Sequence, residues 1–150
     1  MEGKQSSNIF SPGMQNLSKP THEISSSSSS SLSLSIKEVK LAAIAISLNV
    51  RLKSSDMPVH VQEHALRYTR SLVGDSLPIK SSTHHLNPTH LARSLKKEFD
   101  SVYGPAWHCV VGKSFGSFVT HTPGGFVYFS IDSLSVLLFK TEVQLVTEPS

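Results

Sequence analysis

Two histidines and a glutamate, His60, Glu63 and His64, have the spacing H-x-x-E-H. On a helix that spacing presents both imidazoles to one metal ion and leaves the glutamate to activate water, which is the chemistry of a zinc hydrolase. A catalytic zinc also needs a third protein ligand on a rigid element. The downstream carboxylates Glu98, Asp100 and Asp132 fall at helix or turn positions with no reason to converge, so an exposed helical face is the simpler reading and zinc hydrolysis the alternative. Gly112, Lys113 and Ser114 imitate the end of a phosphate-binding loop. Trp107 stands where its first glycine belongs, and a strand rather than a helix follows. His108 and Cys109 are neighbours on a predicted strand, so they point to opposite faces and form no thiol–imidazole pair. Ser117 and His121 share a face but lie too far apart along it to hydrogen-bond. No catalytic set, metal site or cofactor site survives, and a non-enzymatic protein is expected.

The elements that carry these residues can be read from periodicity. Residues 1–45 form an expected Ser-rich, disordered tail, because Pro12, Gly13, Pro20 and the run Ser25 to Ser31 cannot bury enough surface to offset chain entropy. Ile44, Ile46, Leu48, Val50 and Leu52 recur at spacing two and read as a strand within Leu41 to Lys53. Asp56 is a candidate cap for a helix with Val61, Ala65, Tyr68 and Leu72 on one face and Gly74 at its end. A polar connection, 75–86, contains His84 and His85. Asn87 and Pro88 then start a second helix whose apolar face is Leu91, Leu95, Phe99 and Val102, stopped by Gly104 and Pro105. Four strand-like stretches follow: Trp107 to Val111, Phe115 to Thr120, Phe126 to Ile131 and Leu134 to Phe139. Two helices and an antiparallel sheet make an α+β domain at 46–141, with a short tail at 142–150.

Composition narrows the function classes. The chain has 150 residues, 38% apolar and 17% charged, and a net charge of +3 divided as +1 before Asn49 and +2 after it. No basic cluster marks a nucleic-acid surface. The apolar run Leu41 to Leu48 is far short of the roughly 20 residues that span a bilayer. Cys109 is the single cysteine, which excludes an internal disulfide and suits a reducing compartment. Organelle targeting by the Ser-rich segment is the lesser alternative, since no Arg precedes Arg51. The stretch Ser114 to His121 alternates Phe115, Ser117 and Val119 on one face and carries Gly116 on the other. Such a strand can receive an added peptide strand through its main chain, or it can be an ordinary core strand.

The run Lys96, Lys97, Glu98, Phe99, Asp100, followed by Tyr103 to Gly112 with its Trp107, His108 and Cys109, closely resembles the dynein light chain type 1 family. Phe115 to His121, reading FGSFVTH, and Leu137 to Lys140 continue the resemblance, which covers about Arg51 to Lys140. It implies a homodimer in which the FGSFVTH strand crosses to the partner's sheet, with two symmetric grooves that each take an extended peptide of the K-x-T-Q-T kind. The implied peptide-binding residues are Lys53, Ser54, Lys113, Ser114, Phe115, Gly116, Ser117, Phe118, Val119, Thr120, His121, Phe126, Tyr128, Ser130, Ser135 and Leu137. The implied dimer interface contains Lys97, His108, Gly112, Ser117, Phe118 and Thr120. The implied partners are a second copy, the dynein intermediate chain and other disordered proteins, in a cytoplasmic, cytoskeleton-associated setting. Phe118 stands where the family usually has Tyr, Ser130 replaces a groove aromatic, and Pro88 and Thr89 replace the charged pair that normally caps the peptide's glutamine.

Overall fold

A computed structural model describes residues 27–74 and 87–148. Three helices, α1 (Ser27–Ser47), α2 (Val59–Val73) and α3 (Pro88–Tyr103), accompany four strands, β1 (Val50–Ser55), β2 (Trp107–Gly112), β3 (Phe126–Ile131) and β4 (Leu134–Lys140). The strands form one antiparallel sheet in the order β1-β3-β4-β2. The α+β reading therefore holds, with one helix more than expected. The 75–86 connection, with His84 and His85, lies outside the described residues, as do 1–26 and the last two residues of the short tail.

The extra helix corrects two expectations. Residues 27–45 were read as tail and Leu41 onward as strand, yet α1 runs to Ser47 and the strand begins only at Val50. Leu41, Ile44, Ala45 and Leu48 also recur at helical spacing, and that period places Leu41, Ile44 and Ala45 in the core. The competing period of two would have buried Ile46, which is instead 80% exposed. A domain boundary at residue 45 would thus cut a packed helix.

The other two helices start and stop where local chemistry dictates. The Asn87 side chain accepts hydrogen bonds from the amides of Thr89 (2.9 Å) and His90 (3.4 Å), with Pro88 in the first helical position. Gly104, at φ +74°, ends α3 in a conformation that favours glycine. Leu91, Leu95 and Phe99 are buried as expected, but Val102 is not, because the buried face continues from Phe99 to Tyr103 at spacing four and leaves Val102 outside it. Asp56 does not cap α2. The residue before that helix is Pro58, and the Asp56 carboxylate accepts from the Gly124 amide (3.0 Å).

The helices cover one face of the sheet. Val127, Phe129 and Ile131 of β3 and Leu134, Val136 and Leu138 of β4 point toward them, joined at the edge by Trp107. Two polar side chains hold the layers in register. Arg70 of α2 donates to the Leu48 and Asn49 carbonyls and reaches Asp132 in the β3–β4 turn (3.3 Å). Asp100 of α3 accepts from the Trp107 amide (2.8 Å) and pairs with Lys96, fixing the first residue of β2.

Arg70→Ala is expected to cost about 2 kcal/mol, since it leaves partly buried carbonyls without donors; urea denaturation measures it. Desolvation alone raises the Asp100 pKa, but hydrogen bonds from Lys96 and Trp107 outweigh it and hold the carboxyl below its ordinary range. A depressed folded value stabilises above the unfolded pKa and ceases to do so as pH falls through the folded one. Asp100→Asn should therefore lower the urea midpoint at neutral pH, and the gap from the parent should close as pH falls through the depressed folded value, below the ordinary carboxylate range.

Candidate functional site

Strand alternation leaves a second face turned away from the helices. It carries Phe126, Tyr128 and Ser130 of β3, Ser135, Leu137 and Phe139 of β4, and His108 and Val110 of β2. Lys53 joins them from β1, where a register shift between Leu52 and Ser54 interrupts the pairing. Its ammonium donates to the Tyr128 hydroxyl (3.2 Å) and Ser135 Oγ (3.5 Å) and lies 4.6 Å from the Tyr128 ring centre. The hydrogen bonds to Lys53 and Ser135 pull the Tyr128 hydroxyl below its ordinary pKa.

The chain between β2 and β3 rests on this face at its two ends. The Phe115 ring packs on Tyr128 with centroids 6.1 Å apart, and the His121 ring on Phe126 at 4.8 Å. The Thr122 amide donates to the Lys140 carbonyl (2.8 Å), and Gly125 donates back to Thr122 (3.0 Å). Gly125 is buried, and a Cβ there would lie 2.6 Å from Thr122 Oγ1 and 2.9 Å from Lys140 Cβ. The far anchor is thus built for glycine.

Between those anchors the expected strand Phe115 to Thr120 is absent. No strand pairing includes Lys113 to Thr120, although the segment is neither helical nor turned beyond Ser114. The physical reason is that the segment carries the chain from β2 past β4 to β3, and both β4 and β3 are already paired on two sides; only the outer edge of β2 stays free, and the segment does not fold back onto it. Phe118 is fully exposed, and Lys113, Ser114, Gly116, Ser117 and Thr120 are exposed around it. Phe115, Val119 and His121 are half-buried.

The predicted site residues accordingly fall into groups. Lys53, Phe115, His121, Phe126, Tyr128 and Ser135 are brought together on the outer face, with Leu137 paired opposite Tyr128. Ser54 and Ser130 flank them on β1 and β3, and Ser130 lies opposite Ser135. Of the implied interface residues, Gly112 ends β2, while His108 is exposed on that edge strand, stacked on Phe139 at 5.0 Å and hydrogen-bonded to Thr141 Oγ1 (2.9 Å). Lys97 lies exposed on α3. Phe139 was missed by sequence reasoning, yet its alternation with Leu137 on β4 carried the signal.

The H-x-x-E-H residues are occupied otherwise. The two ring nitrogens of His64 meet the Tyr103 hydroxyl (2.8 Å) and Glu98 (3.1 Å), and its ring stacks on Phe99. Glu63 takes Arg67 (2.8 Å). The His64 contacts fasten α2 to α3, while the Glu63–Arg67 pair lies within α2, and no group of three His, Cys, Asp or Glu among the described residues could hold a metal ion. Burial pushes the Cys109 thiol up to about 12, far from a nucleophilic thiolate.

Comparison with known proteins agrees with this architecture. The family described as dynein light chain type 1 matches residues 49–141. The cytoplasmic dynein light chain 1 of Candida glabrata is 40% identical over 92 residues, 61% of this chain and 96% of that protein. A dynein light chain of Schistosoma mansoni is 38% identical over 90 residues, 60% and 91% of the two chains. The dynein light chain-like domain of the Fasciola hepatica calcium binding protein FhCaBP2 superposes with a TM-score of 0.50 at 21% identity, covering 63% of this chain and 93% of that domain, a likeness of fold. The match over 49–141 takes in β1, both later helices, the unpaired FGSFVTH segment and the strands around it, and so the chain belongs to the dynein light chain type 1 family.

Proposed function

We propose that the protein is a non-enzymatic, homodimeric hub that captures extended peptides by strand addition in two symmetric grooves. One observation carries the reading: an eight-residue segment, Lys113 to Thr120, is anchored at both ends, pairs with no strand of its own sheet and exposes Phe118 completely. Unpaired backbone amides and carbonyls at a sheet edge are a template for another strand, and an exposed aromatic between two anchors is costly in water. A second copy answers both, by pairing its β2 edge with the segment. The opposite edge of the segment then accepts a peptide, whose alternate side chains meet Phe115, Tyr128 and the Lys53 ammonium.

In this reading Lys113 to His121 present the peptide-pairing backbone, while Phe126, Tyr128, Ser130, Ser135 and Leu137 form the groove floor and Lys53 and Ser54 one end. Lys97, His108, Gly112, Ser117, Phe118 and Thr120 lie at the interface between copies. Holding two partner segments side by side raises their effective concentration for one another, so weak helical pairing beside the groove becomes stable. Membership of the dynein light chain family supports a place in a dynein complex, bound to an intermediate chain, and a cytoplasmic, microtubule-linked setting. The groove then reads short K-x-T-Q-T-like motifs in disordered proteins, with a preference altered at Pro88, Phe118 and Ser130.

Calorimetric titration of the full chain with a K-x-T-Q-T peptide should give one peptide per chain. Phe115→Ala should weaken that binding about tenfold or more, as loss of a central aromatic does, and unchanged affinity would count against this groove. In this reading His108 lies across the two-fold axis from its symmetry mate, so His108→Lys sets a permanent charge against its own copy and should weaken the dimer in sedimentation; an unchanged constant would remove His108 from the interface.

A further inference from the structure

Helix α1 has two apolar faces, and only one is used. Leu41, Ile44 and Ala45 are buried against the domain. Leu32, Ile36, Val39, Ala43 and Ile46 follow one another at intervals of four, three, four and three residues. At 3.6 residues per turn these five lie within about 80° of each other, centred roughly 180° from Leu41. They are exposed: Leu32 by 64%, Ile36 by 67%, Val39 by 68% and Ile46 by 80%. From Ser29 to Lys40 every residue of the helix is exposed, so its first half lacks burial to offset a serine-rich, poorly helical sequence.

We infer that this stripe is a self-association seam, and that its occupant is the same stripe of a second copy. Alternating steps of four and three residues are the spacing that lets two helices pack knobs into holes along one line. The flanking positions are Ser33, Lys40 and Ser47 on one side and Ser35 and Ala42 on the other, all but Lys40 small enough for close approach. Lys40 is the only charge among them and fixes the direction. An antiparallel pair would set Lys40 against its own copy near the middle of the seam, whereas a parallel pair sets it against Ser35. The seam spans two heptads, too short to hold isolated peptides, but each helix is already pinned to its domain through Leu41 and Ala45. This contact is separate from the one proposed at Phe118. If both operate, two different two-fold interfaces link dimers into tetramers or longer rows.

Sedimentation equilibrium of the full chain, over a range of concentrations, tests this against an Ile36→Glu, Val39→Glu double variant. Both positions are exposed, so the fold should persist. The wild-type mass at high concentration should be at least twice that of the variant. A mass of one 16.4 kDa chain for the variant reports on the Phe118 interface alone and leaves the seam intact. Equal masses for wild type and variant overturn the seam. Oxidative cross-linking supplies a second reading: Ile36→Cys should form a symmetric disulfide, and Ser33→Cys, on the flank, should not. Equal cross-linking at both positions also overturns it. So does a stripe that binds anionic phospholipid vesicles in the wild type, but not in the double variant, while the masses agree.

Discussion

Backbone hydrogen bonding is the constraint on which the rest of this structure depends. A four-stranded sheet with helices on one face has two edges and an outer face to account for, and polar main-chain groups tolerate burial only when paired. At the β1 edge the chain places a helix of its own nearby, α1, whose Leu41 and Ala45 line a hollow together with Leu52 and Met57. At the β2 edge it supplies no further strand. Directly after that edge comes a segment, Lys113 to Thr120, with no strand partner of its own, and the proposed function gives both facts one explanation, a pairing strand from a second copy or a peptide.

The remaining features keep that segment available. Asp100 fixes where β2 begins, and the Gly125 turn fixes where the segment rejoins the sheet. Phe115 and His121 pin its ends to Tyr128 and Phe126, so the middle cannot fold back onto the outer face. The same face then offers an aromatic floor and one cation, Lys53, already held by Tyr128. Under the proposed function, a peptide adding to such an edge would meet a surface ordered before it arrives, so that less of the interaction energy goes into ordering it.

Much of this was legible in the residues, and the failures are instructive. Asn87-Pro88 and Gly104 marked α3 because capping is local chemistry, and the alternation in β3 and β4 marked their faces because one side of each is core. The segment from Leu41 to Leu48 misled because Leu41, Ile44, Ala45 and Leu48 fit a helix while Ile44, Ile46 and Leu48 fit a strand; only packing on α2 decides between them. Asp56 misled because a carboxylate before a helix can also bond elsewhere, here to Gly124. Phe115 to Thr120 has strand composition, but composition does not say whether its own sheet has a free strand to pair with it, and here none takes it. Arg70 gave no signal at all, since its ligands Leu48, Asn49 and Asp132 are distant in sequence and meet only in the fold.

Hydrogen exchange of the backbone amides in the intact chain tests the central claim most directly. If Lys113 to Thr120 is paired with another copy, its amides should be protected by roughly a hundredfold or more at concentrations where the protein self-associates, and protection should fall on dilution. Exchange of these amides at open-chain rates at every concentration, while β3 and β4 stay protected, would contradict the account.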